Sequence, residues 1–347
     1  MNNSTDKTVL VTGGAGFIGS HLTEALLTQG NHVTVVDDES TGSANNLAHL
    51  QSHPQLDYIQ GDIGDLDLVR QVVRDADQVY HLAAAVGVAL IARQPIETIE
   101  RNIYPTQLLF AELRKRLDEG DSPKLFLAST SEVYGDPAVH PQREDYFGNV
   151  NPVGPRSCYD EGKRCAETLF FDYYREYNLK IKIARIFNTY GPRMLPNDGR
   201  VVSNFMIQAI KNEPISIYGD GSQTRSFCHV SDQVTGLTAL LDHTATGPVN
   251  IGNPVEFTVL ALAELVVEMT GSNSRIESVA VPVGRTGDPA QRCPDISTAR
   301  SLLGWEPTVT LREGLVVVPR AQGQRHRQSG DGRSPVIVRT PPGPVAG

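Results

Sequence analysis

The chain has 347 residues and a formal net charge of -9 at pH 7. Hydrophobic residues make up 39% of it and charged residues 20%, a composition that predicts a sizeable core and excludes global disorder. The acidic balance argues against a nucleic-acid-binding protein, whose affinity would depend on clustered lysines and arginines.

Short apolar segments alternate with helical patterns through the first half of the chain. Residues 8–12 form an apolar run that ends in glycines, which is typical of a buried parallel strand. The predicted elements that follow are a helix over 18–28, strands over 32–36 and 78–82, a helix over 91–117, a strand over 124–129, a helix over 159–177 and a strand over 181–187. Repeated βαβ units predict an α/β fold with a Rossmann-type doubly wound parallel sheet.

The alternation becomes less regular after about residue 190, which indicates a smaller C-terminal α/β substrate lobe over the carboxyl edge of the sheet. We predict a dinucleotide-binding domain over residues 1–190 with part of the 225–250 region, and a lobe mainly over 191–315. Residues 316–347 are polar and rich in proline and glycine, so we expect a flexible tail.

Three glycines with the spacing G-x-x-G-x-x-G, at positions 13, 16 and 19, separate the first predicted strand from the first helix. Small residues let the backbone approach a pyrophosphate, and the helix N-terminus offers free N–H groups to that anion. Asp37 follows the second strand, where an acid binds an adenosine ribose hydroxyl. Because a carboxylate there repels a 2′-phosphate, the pattern favours NAD over NADP.

Tyr159 and Lys163 are four residues apart and therefore share one helix face. A phenol has an ordinary pKa of about 10, and a neighbouring ammonium with a positive nicotinamide ring is expected to favour the phenolate. The preceding strand ends at Thr130 and Glu132, which add a hydroxyl and a carboxylate. This combination predicts a hydride-transfer enzyme.

Several segments resemble the extended short-chain dehydrogenase/reductase superfamily, notably Thr12–Gly19 and Arg185–Arg193. Within it, the segments 131–164 and 185–225 are similar to the UDP-glucuronate decarboxylases, and the resemblance covers roughly residues 8–315. It implies a UDP-sugar substrate and tightly bound NAD. UDP-glucuronate would be oxidised at C4, lose CO₂ from the resulting 4-keto acid, and be reduced again to UDP-xylose.

The resemblance also assigns roles to residues. Thr130, Tyr159 and Lys163 would form the redox triad, while Glu132 would lie near C5 of the sugar. Arg225 and Arg292 would bind the diphosphate or the ring, and Arg292 would also act in catalysis. The implied cofactor-binding residues are Gly13, Gly16, Phe17, Ile18, Gly19, Asp37, Asp62, Ile63, Leu82, Ala83, Ala84, Asn102, Tyr159 and Lys163. The implied substrate-binding residues are Asn188, Asn204, Tyr218, Gln223, Arg225 and Arg292.

Two segments depart from the decarboxylase pattern. Residues 84–91 look more like those of bacterial nucleotide-sugar epimerases, and the closing helix that starts at Leu311 soon loses its pattern. A UDP-hexose 4-epimerase and a nucleotide-sugar 4,6-dehydratase therefore stay open. Glu132 favours the dehydratase and Ser131 disfavours it, since an aspartate is expected there. A non-catalytic NAD-sensing regulator is a remote alternative, because such proteins typically lack the Tyr/Lys pair.

The cysteines and the hydropathy indicate the cellular compartment in which we expect the protein. The four cysteines show no C-x-x-C spacing, so we predict reduced thiols and no metal. No apolar run approaches the roughly 20 residues that span a bilayer. We expect a cytoplasmic protein without membrane contact. The family resemblance implies that it forms a homodimer.

Overall fold

The computed structural model describes residues 6–87, 91, 93–196, 199–281 and 291–315. The tail predicted at residues 316–347 lies outside the described residues. None of the helices in the described part of the chain is long and apolar enough to cross a membrane.

A seven-stranded sheet forms the centre of the molecule, and every neighbouring pair of its strands is parallel. In sheet order the strands are β11 (Val249–Ile251), β6 (Lys180–Ile186), β5 (Lys124–Thr130), β4 (Gln78–His81), β1 (Thr8–Thr12), β2 (His32–Asp37) and β3 (Leu56–Gln60). The strand order reverses between β1 and β4, which opens a crevice at their carboxyl ends. This topology confirms the predicted doubly wound α/β fold.

Eight α-helices have both ends among the described residues. They are α1 (Phe17–Thr28), α2 (Leu66–Val73), α3 (Pro95–Asp118), α4 (Ser157–Tyr177), α5 (Val201–Ile210), α6 (Val230–Asp242), α7 (Val259–Thr270) and α8 (Ser297–Leu303). Their ends follow local rules: Asp65 caps the first turn of α2, and Asn178 closes α4 in the left-handed conformation. α3 begins at Pro95 because the fixed φ of proline suits the first helical turn.

Two hydrophobic cores cover the two faces of the sheet. On one face, Leu22 of α1 and Leu237 of α6 pack against the strands, both fully buried. On the other face, Phe110 of α3 meets Phe170 of α4 edge to face, with ring centroids 4.9 Å apart. The sheet is therefore buried on both sides, which explains the nearly continuous apolar sequences of its inner strands.

A third core belongs to the C-terminal lobe, in which α5 and α7 pack on short strands. The remaining short strands are β7 (Thr189–Tyr190), β8 (Ile215–Tyr218), β9 (Thr224–Ser226), β10 (Cys228–His229), β12 (Glu256–Thr258), β13 (Ile276–Val279) and β14 (Gln291–Arg292). The chain then returns to the first core, where Trp305 packs and donates a hydrogen bond from Nε1 to the Asp232 carbonyl at 3.0 Å. Residues 311–315 rejoin the third core through Leu311 and Leu315.

Candidate active site

A cavity of about 980 Å³ lies between the carboxyl edge of the central sheet and the lobe. The glycine loop lines one end, and α5, β8 and β9 line the other. Its walls contain Gly13, Gly16, Phe17, Ile18, Gly19, Asp37, Asp62, Ile63, Leu82, Ala83, Ala84, Thr130, Glu132, Tyr159, Lys163, Asn188, Asn204, Tyr218, Gln223, Arg225 and Arg292. The fold thus brings together all the predicted site residues except Asn102.

The glycine loop lies so close to its neighbours that side chains would not fit. Gly13 has φ +73°, and a Cβ there would lie 2.7 Å from the backbone nitrogen of Ala83. A Cβ on Gly19 would overlap the carbonyl oxygen of Gly13. No side-chain hydrogen bond caps α1 at Gly16. The first-turn N–H groups of α1 therefore suit an anion in the cavity.

The carboxylate of Asp37 is fixed by the loops around it. It accepts hydrogen bonds from the backbone nitrogens of Ala15 at 2.9 Å and Glu39 at 2.8 Å. Burial raises the pKa of this carboxyl, although the two backbone donors oppose the effect. Each oxygen keeps a further lone pair, so Asp37 can still accept hydrogen bonds from the hydroxyl groups of a ligand in the cavity.

The end of β5 and the start of α4 bring Thr130, Tyr159 and Lys163 together. Thr130 lies near enough to Tyr159 for its hydroxyl to lower the pKa of the phenol. Lys163 donates a hydrogen bond from Nζ to the Ala128 carbonyl at 3.0 Å, and burial lowers its pKa to about 8.

The phenol of Tyr159 has a raised pKa in the protein without a bound cofactor. Burial, reinforced by the Glu132 carboxylate, raises this pKa to about 12, while Thr130 and Arg200 act in the opposite direction. The ammonium is bonded to the backbone of β5 and does not offset the burial of the phenol.

Glu132 lies among arginines beside the triad. Its Oε2 is 3.3 Å from Nη1 of Arg292, and its Oε1 is 3.5 Å from Nη2 of Arg156. Burial would raise the pKa of Glu132, but Arg292, Arg156 and Arg225 together hold it below its ordinary value. We therefore expect an ionised carboxylate next to the Tyr159 phenol.

Arg292 is 3% exposed and is held by several acceptors. Besides Glu132, its guanidinium donates to Ser131 Oγ and to the Gly135 carbonyl, each at 3.2 Å. The planar fork of arginine can serve all three acceptors with directed bonds. Arg292 thus connects the lobe strand β14 to the end of the central sheet.

Residues from the lobe complete the far end of the cavity. Gln223 donates a hydrogen bond from its amide to the Tyr218 carbonyl at 3.0 Å, and Arg225 donates from Nη1 to the Thr224 carbonyl at 2.8 Å. The backbone carbonyl of Asn188 accepts a hydrogen bond from the Cys228 nitrogen at 2.9 Å. These bonds fix the loops that carry the side chains into the cavity wall.

Asn102 lies behind the wall of the cavity. It is 4% exposed and donates from its amide to the carbonyls of Thr98 at 2.7 Å and Ala85 at 3.3 Å. Because Ala85 belongs to the segment that lines the cavity, the structure gives Asn102 a supporting position for that segment. The resemblance implies that Asn102 contacts the cofactor directly, but its side chain does not line the cavity.

Four arginines that were not predicted as site residues also line the cavity: Arg101, Arg156, Arg193 and Arg200. Arg193 pairs with Glu24 through Nη2, while its buried Nη1 has no partner in the described part of the chain. Arg200 lies near enough to Tyr159 to act on its pKa. Arg156, Arg193 and Arg200 lie in the segments 131–164 and 185–225 that carry the resemblance, but no motif distinguishes them there from surface arginines.

A Rossmann sheet, a glycine loop facing a cavity, and a Thr/Tyr/Lys triad define an extended short-chain dehydrogenase/reductase. The chain belongs to the GDP-mannose 4,6 dehydratase family, whose sequence profile matches residues 10–317. It is 51% identical to UDP-glucuronic acid decarboxylase 6 of Arabidopsis thaliana, over 88% of this chain and 86% of the relative.

Two further likenesses come from an animal relative and a solved structure. The chain is 48% identical to UDP-glucuronic acid decarboxylase 1 of Danio rerio, over 91% of this chain and 72% of the relative. The crystal structure of UDP-glucuronic acid 4-epimerase from Bacillus cereus, in complex with UDP-glucuronic acid and NAD, superposes with a TM-score of 0.80. That match has 31% identity and covers 92% of this chain and 99% of the epimerase.

Proposed function

We propose that this protein converts UDP-glucuronate to UDP-xylose and CO₂, with NAD as a cofactor that is regenerated in each cycle. The observation that carries the proposal is the Glu132–Arg292 pair, which lies beside Tyr159 in the cavity. Relatives named UDP-glucuronic acid decarboxylases, about half identical over most of the chain, support the same activity.

The residues at the glycine-loop end fit NAD. The N-terminus of α1 suits the pyrophosphate, and Asp37 suits an adenosine ribose with free hydroxyls. The buried, unpartnered Nη1 of Arg193 adds a cation that a phosphate oxygen would satisfy. When bound, NAD supplies the reversible oxidation of C4 of the sugar.

Tyr159 acts on the proton of the C4 hydroxyl. Thr130 lies beside the phenol and lowers its pKa, while the Lys163 ammonium is held at the end of β5. Because the phenol of the protein alone has a pKa of about 12, it needs additional positive charge to act as a base. Arg200 already lowers this pKa, and a cationic ring close by would lower it further.

Loss of CO₂ follows from the chemistry of the substrate. A ketone at C4 lies β to the carboxylate on C5, so it accepts the electron pair left when the C–C bond breaks. Glu132 lies at the Tyr159 end of the cavity, where an ionised carboxylate can orient water or move a proton at C5. Arg292 keeps Glu132 ionised and carries positive charge to the same place.

An epimerase is the second candidate, because a solved UDP-glucuronic acid 4-epimerase shares the fold over most of the chain. An epimerase inverts C4 and has no need of Glu132, whereas a decarboxylase uses a proton-handling group near C5. The four arginine and glutamate side chains clustered here therefore favour decarboxylation.

Incubation with UDP-glucuronate and catalytic NAD⁺ tests the activity. We expect release of CO₂ and a UDP-pentose in equal amounts by mass spectrometry, with no net consumption of NAD⁺. Formation of UDP-galacturonate without loss of mass would establish the epimerase instead. UDP-glucose offered to the same sample serves as the control substrate, since it has no carboxylate to lose.

Replacing Asp37 with alanine is expected to weaken NAD binding roughly 10- to 100-fold, because one or two charge-assisted hydrogen bonds are lost. NADP binding should weaken less, since the carboxylate no longer repels the 2′-phosphate. Isothermal titration calorimetry measures both dissociation constants. The matched control is Asp57→Ala, which removes an exposed acid from β3. Unchanged NAD affinity in the Asp37 variant would contradict the role.

We further propose a cytoplasmic homodimer. The four cysteines are free, as is usual in reducing compartments. Ile96 and Tyr104 of α3 are 73% and 52% exposed, and Tyr174 of α4 is 40% exposed. Since α3 and α4 pack side by side, these apolar groups support pairing of the two helices with those of a second copy.

A further inference from the structure

We infer that His140, Glu256 and Cys293 form a zinc site that fastens the active-site strand β14 to two neighbouring segments. The three side chains offer a nitrogen, a carboxylate oxygen and a sulfur that all lie within 4.8 Å of one another. This mixture of borderline and soft donors suits Zn²⁺. The proposal concerns binding outside the cavity and does not depend on the proposed activity.

Two of the three donor atoms are in direct contact. His140 Nε2 is 2.9 Å from Glu256 Oε2, and the other carboxylate oxygen, Oε1, accepts a hydrogen bond from the Thr224 hydroxyl at 2.6 Å. Such an outer hydrogen bond orients a ligating carboxylate. Ligand atoms around tetrahedral zinc lie about 3.3–3.8 Å apart. Side-chain rotations that move the donor atoms by about 1 Å therefore bring them to these distances.

The three ligands come from segments that backbone hydrogen bonds hold together. Gln142 and Cys293 exchange bonds: the Gln142 nitrogen donates to the Cys293 carbonyl, and the Cys293 nitrogen donates to Gln142 Oε1, both at 2.8 Å. β12, which carries Glu256, pairs with β9, and β9 pairs with β14. The site is therefore preorganised, which lowers the entropic cost of binding.

Exposure and charge agree with a three-ligand site. Cys293 is buried, while the side chains of Glu256 and His140 are 26% and 37% exposed, so an ion can enter from solvent and keep one water ligand. Burial raises the pKa of the Cys293 thiol to about 12. Zinc offsets this effect because it binds the thiolate directly and releases the proton to solvent.

The proposed zinc site is adjacent to the active site in the sequence. Cys293 directly follows Arg292, whose guanidinium contacts Glu132, Ser131 and Gly135. A metal held by Cys293 therefore restrains the strand that carries this arginine.

Titration of the metal-free full-length protein with Zn²⁺ tests the inference. We expect one ion per chain by calorimetry, and Co²⁺ in its place should give a near-ultraviolet thiolate-to-metal absorption band. Cys293→Ser should abolish that band and weaken Zn²⁺ binding at least about tenfold, and His140→Ala should weaken it comparably. Cys165→Ser, on α4, is the matched control and should change neither.

Several outcomes would overturn the inference. They are no saturable binding in the wild-type protein, a Co²⁺ band that persists in Cys293→Ser, or equal Zn²⁺ affinity in the wild type and His140→Ala. Should Cys293→Ser fail to fold, His140→Ala decides alone, because that side chain is partly exposed. Zn²⁺ should also raise the midpoint of thermal unfolding of the wild type and of Cys165→Ser, but not of His140→Ala.

Discussion

Replacement of Tyr159 by phenylalanine is expected to lower kcat for CO₂ release by about 10²- to 10⁴-fold, the range for loss of a general acid–base group. The ring still fills its buried position, so folding and NAD affinity should stay near wild-type values. Single-turnover assays with UDP-glucuronate measure the chemical step, and calorimetry measures NAD binding.

Tyr174→Phe is the matched control, since it removes a hydroxyl from the same helix at a 40% exposed position outside the cavity wall. It should keep full activity. Wild-type turnover in the Tyr159 variant would mean that another group removes the C4 proton. A protein that binds NAD but has no turnover in either form would instead be a regulator.

Replacing Arg292 with methionine is expected to have the largest effect on stability. It leaves Glu132, Ser131 Oγ and the Gly135 carbonyl without their shared donor, and losing one member of a buried ion pair costs roughly 3 kcal/mol. Denaturant unfolding measures this change. We also expect kcat/KM for UDP-glucuronate to fall at least about a hundredfold, because a desolvated cation is lost from the site.

The pH dependence should change in the same variant. In the wild type, Arg292 helps to hold the pKa of Glu132 below its ordinary value, so this carboxylate stabilises the fold above about pH 4 and loses that contribution as the pH falls. Without Arg292 the pKa of Glu132 should lie higher, because only Arg156 and Arg225 then oppose burial, so less stability should be lost on acidification through Glu132.

Two further variants separate the roles of Arg292. Glu132→Gln/Arg292→Met should recover part of the stability but none of the activity, since it removes the unpaired charge. Arg143→Met, at an arginine that is 62% exposed, should alter neither property. Additive losses in the double variant would show that Glu132 and Arg292 are not coupled.

The parts of the fold that sequence predicted are those with strong local signals. β1, the glycine loop and α1 follow one another within about twenty residues, and each has its own pattern. β3 and α2 were missed. β3 is the edge strand of the sheet, and Asp57 and Gln60 are exposed on it, so it lacks the apolar run that identifies an inner strand.

Some residues of the active site were likewise predictable from the sequence, and others were not. Thr130, Tyr159 and Lys163 were predictable because a strand end and a helix of fixed period place them. Arg156, Arg193 and Arg200 were not, since their convergence depends on packing between distant segments. The raised pKa of Tyr159 in the protein alone was not predictable either, because the degree of burial of the phenol is a tertiary property.

The C-terminal segments that pack in the first core affect whether the two halves of the protein can exist separately. β11 and Trp305 belong to the nucleotide-binding half, although both follow lobe segments in the sequence. The halves are thus interleaved along the polypeptide, and no single cut separates two intact folding units. The two halves should therefore be gained, lost or exchanged in evolution only together, unlike domains joined by one linker.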